Sequence, residues 1–207
     1  MALNPGNPLT TAHLPLEFLP GLPNRFPDKV TARSFFRPFR EVAGNRYDGS
    51  ESATNLLWAL EGSARSPFGR AKFISYEALP GELQLAEFNK RWAKHLYFPF
   101  YSFTNGLVSE PLFRDAAGRV FRPEEINTSF MLVPALAVAF DGARLGQGGG
   151  WYDRAIARLL VNNPDLTMVG CAPSPFLIPP GILPIERHDQ RMDMIITESS
   201  SFLPTLD

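Results

Sequence analysis

The sequence has few of the residues that build metal centres and disulfide frameworks: its 207 residues include one cysteine, Cys171, and three histidines, His13, His95 and His188. A lone cysteine excludes an intramolecular disulfide and suits a reducing compartment, so the cytoplasm is the expected location. Its apolar neighbour Val169 marks Cys171 as a buried structural thiol rather than a nucleophile. The histidines lack zinc-ligand spacing and no Cys-x-x-Cys pair accompanies them, which argues against a transition-metal site. No Gly-x-Ser-x-Gly elbow is present, so a serine hydrolase would lack its nucleophile. No run approaches the ~18 apolar residues of a membrane span. The start has no basic region before an apolar core, as a signal peptide would. Twenty basic residues against 21 acidic give a net charge of −1, which leaves no broad basic face for nucleic-acid phosphates. Any anion site must be local.

With 44% hydrophobic residues the chain can bury one sizeable core, and its length favours a single domain; a monomer is expected. Residues 1–30 hold Pro5, Pro8, Pro15, Pro20, Pro23 and Pro27, which remove backbone donors and block helix propagation. They read as an extended arm whose Leu14, Leu16, Phe18, Leu19 and Leu22 can wrap onto a domain spanning 31–207. Beyond the arm, Leu56, Leu57 and Leu60 predict a helix over 52–61, and Leu85, Phe88 and Trp92 another over 83–94. The short apolar runs 72–78, 95–101, 130–138, 166–172 and 192–197 predict strands buried on both faces. Strands alternating with helices imply a mostly parallel α/β sheet with right-handed crossovers.

The most informative segment is Arg144-Leu145-Gly146-Gln147-Gly148-Gly149-Gly150-Trp151-Tyr152-Asp153-Arg154. Glycines let the backbone turn sharply and bare its N–H groups to a polyanion, and a helix starting near Trp151 adds its positive dipole end. The apolar run from Phe130 upstream, with Ile156, Leu159 and Leu160 downstream, predicts strand, loop, helix. The spacing matches neither a P-loop nor a dinucleotide fingerprint. It therefore indicates an anion site without naming the anion.

Val133-Pro134-Ala135-Leu136 and the segment 142–154 together resemble the signature of the 5-formyltetrahydrofolate cyclo-ligase family. A second block is similar to that family's closing segment: 183–189, Leu-Pro-Ile-Glu-Arg-His-Asp, followed by 192–198, Met-Asp-Met-Ile-Ile-Thr-Glu. Weaker echoes, Arg33-x-x-Phe36-Arg37, Glu82 and 106–111, extend the resemblance over roughly residues 33–198. It implies a single-domain, three-layer, Rossmann-like α/β fold with a mostly parallel sheet flanked by helices. It also implies ATP-dependent closure of 5-formyltetrahydrofolate to 5,10-methenyltetrahydrofolate, through phosphorylation of the formyl oxygen and release of ADP and phosphate. Such a transfer asks a protein chiefly for positioning and charge neutralisation.

Carried over residue by residue, the resemblance assigns Arg33, Arg144, Leu145, Gly146, Gln147, Gly148, Gly149, Gly150, Trp151 and Tyr152 to ATP. It assigns Arg37, Glu77, Glu82, Gln147, Gly148, Gly149, Gly150 and Trp151 to the folate, and Asp153 and Asp189 to Mg²⁺. Arg144 and Glu82 would be the catalytic pair. Each has an alternative reading. Asp153 is also a favoured first-turn aspartate, Asp189 a turn residue, and Glu82 the start of the helix over 83–94. Arg33 and Arg37 read equally as surface arginines, and Trp151 or Tyr152 as core. Pro38 is expected to push Arg37 out of helical geometry.

The chain departs from the family pattern in three places. Phe140-Asp141 is displaced by two positions, only residues 100–105 separate Pro99 from Gly106 where relatives carry a longer folate wall, and Glu77 replaces an apolar residue. Two functional classes follow: a divergent cyclo-ligase, or a non-catalytic nucleotide- or folate-binding relative acting as buffer or regulator.

Overall fold

The computed structural model describes residues 19–63, 72–101, 103–104, 107–108 and 110–205. Of the arm, Leu14, Leu16 and Phe18 lie outside these residues, while Leu19 and Leu22 pack on the core.

The first helix, α1 (Lys29–Ala43), starts where the Asp28 carboxylate accepts a 2.7 Å bond from the Thr31 N–H, a side-chain N-cap that satisfies one orphan donor. That bond holds the Asp28 carboxyl below its ordinary range. The helix runs through Pro38 without a break, contrary to the expectation for Arg37. An interior proline costs about 3 kcal/mol. Ala32, Phe36, Arg40 and Ala43 are buried along one face, and packing of such a face outweighs local propensity. The second helix, α2 (Ser50–Ser63), matches the helix read from its leucines.

The strands follow as β1 (Lys72–Ile74), β2 (Leu96–Phe100), β3 (Phe103–Thr104), β4 (Leu107–Val108), β5 (Leu112–Asp115), β6 (Val120–Phe121), β7 (Thr128–Pro134), β8 (Ala137–Ala139), β9 (Arg144–Leu145), β10 (Thr167–Cys171), β11 (Leu177–Ile178), β12 (Met194–Ile196) and β13 (Ser201–Phe202). Two more helices are α3 (Ala86–Trp92), between β1 and β2, and α4 (Trp151–Asn162), between β9 and β10. Among the described residues the main sheet runs β13-β12-β10-β7-β1-β2-β5-β6. Its five central strands, from β12 to β2, are mutually parallel. Antiparallel β13 closes one edge, and β5 with β6 the other. The mostly parallel sheet expected from the alternating pattern is thus observed.

Alternation along the strands splits the core into two layers. Phe73, Phe130, Leu132, Val169 and Cys171 pack with Leu56 and Leu57 of α2 and Phe88 of α3. Ile74, Met131, Val133 and Met168 face the other way, onto Ile156 and Leu159 of α4. Cys171 is fully buried, and desolvation pushes its thiol pKa well up; it is a packing residue, as its neighbours suggested.

Three elements differ from expectation, the first being the strand read over 72–78, which ends at Ile74. The strand read over 130–138 stops at Pro134, and Ala137–Ala139 joins a separate small sheet, β11-β8-β9. Proline has no N–H to continue the ladder; Ala135 N makes a last bond to the Cys171 carbonyl of β10, and the next donor, Leu136 N, goes to the Leu145 carbonyl of β9. A β8–β9 hairpin therefore intervenes between the central strand and the glycine loop. The helix over 83–94 shortens to α3, because the Gln84 backbone is held in a bridge, donating to the Tyr47 carbonyl and accepting from Gly49 N. Glu82 therefore does not begin a helix.

The end of α4 is fixed to the start of β7 by buried Asn163. Its Oδ1 accepts from Thr128 N at 2.8 Å, and its Nδ2 donates to the carbonyls of Leu159 and Ile126 at 2.8 and 3.0 Å. Asn163→Leu removes all three at once and leaves buried backbone groups unpaired. It should cost about 3 kcal/mol and lower the melting temperature by roughly 6–12 °C, measurable by calorimetry.

Candidate active site

Between β1 and β7 the strand order changes direction. The connection leaving β1 passes through α3 on one face, and that leaving β7 passes through α4 on the other. Divergent connections leave a crevice at the carboxyl ends of the two strands. A cleft of about 600 Å³ lies there, lined by α1, the 77–82 turn, the end of β7, the glycine loop, the first turn of α4 and residues 186–189.

The glycine loop enters α4 through Gly150, which takes a left-handed conformation (φ 60°) and gives no side-chain cap. The first N–H groups of α4 are thus not capped by a side chain, and a helix start in that state attracts anions. Gly148 has φ 110°, and a Cβ there would sit 3.3 Å from the Arg33 guanidinium; strain and crowding both favour glycine. The loop is braced from its own helix by Arg154, which donates to the Gly149 carbonyl at 2.9 Å.

From the opposite side α1 presents Lys29, Arg33, Arg37 and Arg40, spaced by four, four and three residues and so aligned on one face. Arg33 Nε donates to the Gly146 carbonyl at 2.9 Å, and Arg37 to the Gln147 carbonyl at 3.4 Å. Lys29 contacts the carboxylates of Asp189 and Glu186. Arg40, buried, donates to the Pro80 carbonyl at 2.8 Å and lies 3.4 Å from Glu82.

Glu82 is itself buried, 4% exposed, and sits in a turn rather than on a helix. One carboxylate oxygen accepts from Leu79 N at 3.0 Å, and the other lies 3.4 Å from Gln147 Nε2. Desolvation raises its pKa above the ordinary glutamate range, against the partly compensating Leu79 bond and Arg40 charge. Gly81 makes this turn possible. It has φ 79°, its N–H donates to the Gly44 carbonyl, and any Cβ would fall 2.6 Å from the Arg40 carbonyl.

Arg144 lies at the floor of the cleft with its side chain only 4% exposed. It donates to Asp153 at 2.9 Å and to the Pro134 carbonyl at 3.4 Å, over the ring of Tyr152 at 5.6 Å. Its Nε has no protein partner among the described residues. Trp151 packs against Tyr101, Phe113 and Tyr152, with centroids 4.9–5.3 Å apart. It serves the core while one edge borders the cleft.

Most of the residues named from sequence meet in this cleft: Arg33, Glu77, Glu82, Arg144, Gly146 to Tyr152, Asp153 and Asp189. Two do not border it. Leu145 pairs with Ala137 in the hairpin, and its side chain is buried in the core beneath α1. Arg37 is exposed and braces the loop through Gln147. Glu77 borders the cleft, with both its oxygens on Arg114 Nη2 at 2.8 and 2.9 Å. Sequence reasoning missed Lys29, Tyr101, Glu186 and His188, which line the cleft, and Arg40, which lies beside Glu82. The four-residue spacing of basic side chains in α1 was the available signal, hidden by the proline within it.

The profile of the 5-formyltetrahydrofolate cyclo-ligase family matches residues 80–198, more than half of the chain. The chain belongs to that family. Among solved structures it is similar to a 5,10-methenyltetrahydrofolate synthetase from Mycoplasma pneumoniae, with 23% identity and TM-score 0.60 over 83% of this chain and 99% of that one. It is also similar to the Aquifex aeolicus 5,10-methenyltetrahydrofolate synthetase, with 20% identity and TM-score 0.58 over 86% and 94%. At these identities the likeness speaks for the fold. No curated protein matches the sequence significantly. The family is one of ligases acting on 5-formyltetrahydrofolate, and its matched span contains the glycine loop, Glu82, Asp153 and Asp189; α1 lies outside it.

Because Arg144 is buried with Asp153, truncating either alone strands a charge. Arg144→Met should cost about 3 kcal/mol, and the double variant Arg144→Met/Asp153→Leu should recover much of it, giving a coupling above 1 kcal/mol in a double-mutant cycle of denaturant midpoints. Additive losses would show that the two do not form a pair.

Proposed function

We propose that this cyclo-ligase family member closes 5-formyltetrahydrofolate to 5,10-methenyltetrahydrofolate at the expense of ATP, releasing ADP and phosphate. The observation that carries this reading is one cleft in which an uncapped helix start and a buried arginine face a buried carboxylate. The two ends of such a cleft suit the two halves of the reaction.

A formyl amide oxygen is a weak nucleophile and a poor leaving group. Phosphorylation by the γ-phosphoryl group turns it into a leaving phosphate and makes the formyl carbon electrophilic. Attack by the second folate nitrogen then forms the new C–N bond, that nitrogen gives up its proton to water, and the C–O bond breaks with loss of phosphate. On this reading the N–H groups of the glycine loop and of α4 bind the polyphosphate, with Arg33 and Arg144 neutralising its charge. Asp153 and Asp189 offer the hard oxygen donors that Mg²⁺ prefers. They would hold the ion with help from the phosphates, and it would add charge neutralisation at the transferring group. Glu82 steadies the positive charge that develops on the folate, Gln147 to Trp151 border both ligands, and Glu77 faces the folate in place of an apolar wall.

Purified protein with Mg·ATP and 5-formyltetrahydrofolate should develop the near-ultraviolet absorbance of the conjugated methenyl cation, with one ADP formed per turnover. Folate binding without either signal would sink the catalytic reading.

The raised pKa of Glu82 gives a further expectation. If the carboxylate is the working form, kcat/KM should fall on the acid side with an apparent pKa above the ordinary glutamate range. Glu82→Gln should remove that limb and lower kcat by ~100-fold or more. The stability sign is opposite: the group ionises less readily folded than unfolded. Its contribution is therefore full below the unfolded glutamate pKa and is lost as pH rises through the folded one. An unchanged acid limb in Glu82→Gln would assign it to another group.

A further inference from the structure

We propose that Lys29 is a built-in cation that occupies the acidic pocket formed by Glu186 and Asp189 and sets the cleft's affinity for a divalent ion, which must displace it. The inference rests on the reading above, that Asp189 faces such an ion, and adds a residue and a competition to it.

Three observations carry it. First, the Lys29 ammonium contacts both carboxylates, lying 3.1 Å from Glu186 Oε2 and hydrogen-bonded to Asp189 Oδ1. Second, the side chains of Lys29 and Asp189 are only 11% and 13% exposed, so the contact is shielded and weakens less with salt than a surface pair. Third, Glu186, His188 and Asp189 each offer a ligand atom, all within 4.8 Å of one another. The ammonium thus lies beside oxygen donors gathered closely enough for a single cation.

An ammonium and a Mg²⁺ or Mn²⁺ ion seek the same carboxylate oxygens and repel each other, so both cannot use this pocket at full strength. Asp189 is preset by a second bond, from Glu186 N to Oδ2 at 2.6 Å, which holds the carboxylate in place whether or not the lysine is there. Lys29 stands on the first turn of α1, one turn before Arg33, and its four-carbon stem gives the ammonium room to leave while the helix stays docked through Arg33 and Arg40. Lys29 is therefore a positioning residue: it neutralises the pocket until a divalent ion arrives, and it makes that ion compete for its ligands.

The test is direct binding of Mn²⁺ to the full chain, read by loss of the free-ion signal in electron paramagnetic resonance, without nucleotide. Lys29→Met should bind Mn²⁺ about five- to tenfold more tightly than the wild type, the span expected for removing one partly buried ion-pair competitor. Lys29→Arg, which keeps the charge, should stay near wild type and controls for folding. Asp189→Asn should abolish the tight binding in the Lys29→Met background. Equal or weaker Mn²⁺ binding in Lys29→Met, with Asp189→Asn still abolishing it, overturns the competition and leaves the metal reading intact. Absence of Mn²⁺ binding in every variant, or binding indifferent to Asp189→Asn, overturns the metal reading and the inference with it.

Discussion

The cationic face of α1 is the constraint on which the cleft depends. Four side chains of one helix reach segments far away in sequence: Lys29 to Asp189, Arg33 to Gly146 and Arg37 to Gln147, across 160, 113 and 110 residues, and Arg40 to Glu82. Glycine loops are intrinsically mobile because glycine loses the most conformational freedom on folding. Here the carbonyls of Gly146 and Gln147 are held by arginines from outside and that of Gly149 by Arg154 from within. Bracing the carbonyls in this way leaves the loop's N–H groups for a ligand.

The docking of α1 is in turn set by apolar packing. Phe26, Phe35, Phe36 and Phe39 form an aromatic cluster with neighbouring centroids 5.1–5.7 Å apart, which joins the small β11-β8-β9 sheet in one core. The same core buries Leu145, which explains why a residue inside the signature segment points away from the cleft. Alternation in the hairpin sends Arg144 to the cleft and Leu145 to the core.

The site holds several charges at a cost to stability. Glu82 is buried with a raised pKa, Arg40 is desolvated with its own pKa lowered, and the two sit 3.4 Å apart without a short, well-aligned bond. A tighter salt bridge would stabilise the fold but fix the carboxylate on the protein. A loosely held carboxylate keeps its charge directed into the cleft that it lines. Arg144 and Asp153 follow the other rule: they are close at 2.9 Å and serve each other as well as the cleft.

The sequence by itself determined the layered α/β class, the five parallel strands and the glycine loop before a helix, because apolar periodicity and glycine spacing are local properties of the chain. It also singled out Glu82, Arg144, Asp153 and Asp189 by their resemblance to a family whose profile matches the span containing them. Only the tertiary structure decided that Pro38 lies within an unbroken helix, that Gln84 is held in a bridge so that α3 begins late, and that the run after Pro134 leaves the main sheet. In each case long-range packing or hydrogen bonding overrode a local preference worth at most about 3 kcal/mol. The partners of Lys29, Arg33 and Arg40 were equally beyond the sequence, since a basic residue at helical spacing records which way it faces, and what it meets there is fixed by how the distant segments dock.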